Sequence, residues 1–75
     1  MRDFTMDLTK EELECLANGV SEDGKPSKEA EKVILARVKE GKEKGYPKLE
    51  VNRQLRCKLN AEQGRRVEAA LNKLW

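Results

Sequence analysis

The stretch 48-KLEVNRQLRCKL-59 decides the fold, because it satisfies two incompatible patterns at once. Leu49, Val51, Leu55, Cys57 and Leu59 all fall on odd positions, the period-two signature of a strand. Val51, Leu55 and Leu59 are also four apart, which places them on one face of a helix. Periodicity alone leaves both open. The flanking sequence on the C-terminal side is clearer: Asn60-Ala-Glu-Gln63 is a cap followed three residues later by an acceptor, the start signal of a helix. Val67, Ala70, Leu71 and Leu74 then form an amphipathic face.

Working outward to the other end, Phe4, Met6 and Leu8 alternate with Thr5 and Asp7, again period two. Thr9 and Glu12 make a capping box, predicting a helix over about Lys10–Asn18 with Leu13, Leu16 and Ala17 inward and Asn18-Gly19 as its left-handed stop. Residues 4–12 and 55–63 echo one another at an offset of 51, apolar on apolar and cap on cap. That echo favours a strand over Arg53–Leu59. Between the two ends, SEDGKPS (21–27) is turn chemistry. Ser27 caps a second helix, with Ala30, Val33, Ile34 and Val38 recurring at helical spacing; Leu35 lies off that stripe, widening the apolar face or meeting a partner. This helix weakens through Gly41–Gly45 and meets Tyr46-Pro47. The expected fold is therefore α+β over residues 1–75 as a single compact domain, in the order strand-helix-helix-strand-helix, with two short strands covered by three helices. The alternative is an all-α helical bundle with residues 48–59 helical.

Composition narrows the function classes. Seventy-five residues with three aromatics (Phe4, Tyr46 and Trp75) hold only a thin aliphatic core. Cores of this size supply about 3–5 kcal/mol net, a margin that suits a partner chain or a homo-oligomer. Charged residues make up 40% of the chain, yet the net charge is only +2. No apolar run reaches the roughly 20 residues that span a bilayer, and the start has no signal-peptide core, so a cytoplasmic address is expected and no membrane partner. Cys15 and Cys57, without any histidine, cannot complete a four-ligand zinc site; two half-buried free thiols are expected, and no cofactor or metal.

Catalysis is not expected. The commonest general base is missing, and there is no nucleophile elbow, P-loop or dinucleotide fingerprint. Cys57 has basic neighbours in Arg56 and Lys58, but on a strand those side chains point to the opposite face. Glu11 and Glu12 sit where a helix N-terminus favours negative charge, which is reason enough for them.

Charge distribution carries more. Residues 1–40 hold seven Lys/Arg and ten Asp/Glu; residues 41–75 hold nine and four. On the strand reading Gln54, Arg56 and Lys58 share a face, with Arg65 and Arg66 opening the next helix and Arg53, Lys48 and Lys44 nearby. The candidate binding patch is Arg53, Arg56, Lys58, Arg65 and Arg66, suited to an acidic protein surface or to nucleic-acid phosphates. No aromatic interleaves Arg53–Arg66, which disfavours base stacking. Trp75, at i+4 from Leu71 and i+8 from Val67, either closes the core or, if exposed, is the candidate hot spot.

The order strand, helix, loop, helix across residues 3–41 resembles the ribbon-helix-helix family, whose paired strands enter the major groove of DNA. The resemblance rests on element order alone. It implies a groove-facing Asp3, Thr5 and Asp7, and the two carboxylates would meet phosphates. The interhelix loop is also longer and more charged than that family's tight turn. The expected function is a small non-enzymatic protein-interaction module docking on a larger partner as inhibitor or adaptor. Chains of this size and charge are often phage or mobile-element regulators of a host complex, such as anti-CRISPR proteins or transcription modulators. The alternative is a nucleic-acid binder using the C-terminal basic patch.

Overall fold

Three of the four described helices begin where a side-chain oxygen replaces a missing carbonyl. The structure, a computed structural model, describes residues 8–75. Thr9 Oγ1 accepts from the Glu12 amide while Glu12 Oε1 accepts from the Thr9 amide, at 3.1 and 2.9 Å, opening α1 (Lys10–Asn18). Ser27 Oγ accepts from the Ala30 amide and opens α2 (Lys28–Lys44). Asn60 and Gln63 form a second reciprocal box at the head of α4 (Ala61–Leu74). Each box satisfies two donors that the first turn of a helix leaves without partners. Helix α3 (Lys48–Arg56) has no side-chain cap; Pro47 precedes it, and its carbonyl accepts from the Glu50 and Val51 amides.

The α+β expectation is overturned. The described residues form four helices and no strand; extended backbone pairs among them only at the isolated bridge Val20–Pro26. Arg53–Leu59, expected as a strand, comprises the end of α3 and the turn after it. Alternation would have buried Leu49 and Cys57 beside Val51 and Leu55. Instead Val51, Asn52 and Leu55 face inward while Leu49 and Cys57 are exposed. Positions 51, 52 and 55 are helix neighbours, and Leu59, half-buried beyond the helix end, packs against the same core. The all-helical alternative is the observed fold. The strand expected on Phe4, Met6 and Leu8 lies outside the described residues, except that Leu8 packs half-buried against the core.

The core joins Leu16 of α1, Ala30, Ile34 and Val38 of α2, Val51 and Leu55 of α3, and Val67, Ala70 and Leu71 of α4, with Val20 and Tyr46 from the connections. Helices α2 and α4 each touch all the others, whereas α1 and α3 do not touch each other. The domain is thus a central pair with one short helix on either flank. At the end of α2, Gly45 adopts φ 79°, the left-handed conformation that closes a helix, and the Tyr46 amide donates to Gly41 at 2.7 Å. Gly19, expected to do the same for α1, caps it with φ −98° instead.

The connection 19–27 is not a free surface loop. Gly24, at φ 78°, lies so close to α4 that a side chain there would stand 2.7 Å from the Ala69 methyl. Lys73 Nζ donates to the Asp23 carbonyl at 2.8 Å, tying the loop to the last turn of α4.

A cationic surface around the start of the last helix

Helix α3 sorts its residues by angle. With Val51, Asn52 and Leu55 inward, Leu49, Arg53 and Arg56 fall at i, i+4 and i+7 and share the outward face. All three are exposed, and Leu49 is 75% exposed, the greatest exposure of any large apolar residue among those described. Beyond the helix, Arg53 and Arg56 line an open cavity of about 360 Å³ with Cys57, Leu59, Asn60 and Gly64. Gly64 lets α4 pass close to α3 at the edge of this hollow: a methyl there would sit 3.3 Å from Arg56 Cβ.

Arg65 and Arg66 stand apart from that hollow. They line a separate cavity of about 710 Å³ with Glu22, Glu62, Ala61 and Ala69, and Ala61 borders both cavities. Four of the five predicted patch residues are thus divided between two cavities that meet at the start of α4, and Lys58 lines neither. Their charges are also unequal in availability. Arg66 is held by Glu62 and lies 3.7 Å from Glu22. Arg56 approaches Glu68 at 3.5 Å, and the same carboxylate accepts from Asn52 Nδ2 at 3.2 Å. Arg53, Lys58 and Arg65 form no ion pair among the described residues. Of the flanking lysines, Lys44 is taken by Glu40, and Lys48 is exposed at the start of α3.

Asn52 is the buried polar residue of this region, 5% exposed, with its Oδ1 lacking any hydrogen-bond partner. It couples α3 to α4 through Glu68, which in turn orients Arg56. Trp75 is half-buried against the core, with Lys42 Nζ 5.0 Å above its ring and donating to its carbonyl at 2.6 Å. Cys15 is half-buried as expected. Cys57, expected to be half-buried, is exposed at the end of α3, because the helix turns position 57 away from the core.

The strongest ion-pair network lies elsewhere, where α1 meets α2. Arg37 Nη2 donates to both oxygens of Glu12 at 2.8 and 2.9 Å, and Arg37 Nη1 to Glu40 at 2.9 Å. The Thr9 backbone amide, and after it the Arg37 guanidinium, hold the Glu12 carboxyl below its ordinary range. The Lys44 ammonium, and then Arg37, do the same to Glu40. This network joins helices and offers no free charge to a ligand.

Sequence reasoning missed Leu49 as a surface residue. Its spacing of four from Arg53 and seven from Arg56 was the available signal, but only a helical reading exposes it. No group of three or more His, Cys, Asp or Glu side chains among the described residues is placed to hold a metal ion. No described helix is long and apolar enough to cross a membrane. Comparison with protein-family models, with curated proteins and with solved structures returned no match.

Proposed function

We propose that this chain is a binding module without catalysis of its own, docking through the outer face of α3 on an acidic surface of a larger protein. One observation carries the reading: Leu49, 75% exposed, shares a helix face with Arg53 and Arg56. An apolar side chain set among cations suits a partner with an apolar recess rimmed by carboxylates, and it gains nothing from a phosphate backbone. Arg53 and Lys58, which form no ion pair among the described residues, supply charge that can be satisfied from outside. The missing histidine and the lack of any nucleophile motif agree with a role in binding.

The test is capture of the partner from nuclease-treated lysate with wild type, Leu49→Asp and Arg53→Glu in parallel. Recovery that survives nuclease and falls about tenfold or more in both variants, a hot-spot-sized effect, supports this surface. Recovery that nuclease abolishes in wild type would instead identify the cationic surface as a nucleic-acid site.

A further inference from the structure

The outward face of α2 carries a second pattern, remote in sequence from α3. Lys28, Lys32, Leu35, Lys39 and Lys42 are all exposed and recur at steps of four, three, four and three, which keeps them on one line along the helix. At a rise of about 1.5 Å per residue, the run from Lys28 to Lys39 covers about 16 Å. Leu35, 42% exposed, lies within it.

Lys28, Lys32 and Lys39 form no ion pair among the described residues, although the same helix pairs Arg37 and Lys44 with carboxylates. Lys28 stands in the first turn, where the helix dipole disfavours a cation, and it is four residues from Lys32, a repulsive spacing. Lys42 alone is committed, to Trp75.

We propose that this line is a docking strip for an acidic helix of another protein. The partner helix presents carboxylates at the spacing of Lys28, Lys32 and Lys39 and an apolar residue over Leu35. A straight row on a regular helix is matched by a second helix lying along it. A second copy of this chain is a poor occupant, since the two rows would bring lysine against lysine. Nucleic acid is a poor one too: Glu31 and Glu43 border the row, and Leu35 would face phosphates. The strip does not depend on the α3 face, and the two fail separately.

The experiment titrates the full isotope-labelled chain with a synthetic helical peptide carrying Glu and Leu at the strip's own spacing, and separately with duplex DNA, while following backbone amide shifts. The peptide should move amides along residues 28–42, with affinity falling as salt rises. Lys32→Glu with Lys39→Glu should weaken it about tenfold or more, Leu35→Ser by about threefold, and Leu49→Ala not at all. All four positions are exposed, so thermal melts should match wild type. Peptide binding indifferent to the double charge reversal, shifts centred outside α2, or a strip that answers DNA and not the peptide would each overturn the proposal.

Discussion

Two leucines six positions apart show how differently one residue type is used here. Leu55 is fully buried and Leu49 is 75% exposed, on opposite sides of the same nine-residue helix. Leu55→Ala should cost about 2–5 kcal/mol, by lost burial and the cavity left behind. Against the few kcal/mol a domain this small possesses, that leaves a largely unfolded chain by chemical denaturation. Leu49→Ala should change the unfolding free energy by less than about 0.5 kcal/mol, the usual range for a surface change, while weakening partner capture. Equal losses of stability from both would place Leu49 in the core and remove the basis for the α3 face. Asn52 explains why the sequence hid this arrangement. An asparagine between Val51 and Arg53 reads as an outward polar position, and its burial against Glu68 is a tertiary decision that no local pattern announces.

At the scale of elements, legibility followed the caps. The starts of α1, α2 and α4 could be read to the residue because Thr9, Ser27 and Asn60 each act on a backbone amide three positions ahead. The echo between residues 8–12 and 59–63 reflects the same cause: both are an apolar residue before a reciprocal capping box. It is a resemblance between two helix starts, and the strand it suggested before Asn60 does not exist. Helix α3 lacks this marker. It opens after a proline, runs nine residues, and ends at Cys57 without a glycine. The basic residues were legible as cations; their division around α4 was not, because strand and helix distribute positions 53–58 differently. Asn60→Ala should lower stability by about 1 kcal/mol, read as a shift in the denaturant midpoint with unchanged slope. An unaltered midpoint would mean that the α4 start is held by packing alone.

For the whole molecule, pH reports on the joint between α1 and α2. Glu12 and Glu40 hold folded-state pKa values below the ordinary glutamate range, through the Thr9 amide and Arg37 for the first and through Lys44 and Arg37 for the second. A carboxyl lowered in the folded state stabilises the fold at pH above its unfolded value, about 4.3 for glutamate. That contribution disappears as pH falls through the folded values. Stability should therefore be flat near neutrality and decline below about pH 4. Arg37→Met should cost about 1–2 kcal/mol at pH 7 and make the acid decline shallower, because one set of charge-assisted bonds is already missing. A variant with the full wild-type acid response would show that Arg37 contributes nothing to it. The mixed charge that composition displays as a net +2 is thus partly consumed in joining helices, and part of the rest is presented outward on α2 and α3.

Helix α4 touches every other described helix and follows all of them in the chain. While it is still inside the ribosome, Leu16, Ile34 and Leu55 have no Val67 or Leu71 to close over them, and the loop at Gly24 has no Ala69 to rest on. The first three helices can flicker but cannot seal a core. Folding during synthesis therefore waits until residue 74 has cleared the exit tunnel, and it then proceeds as a single cooperative event.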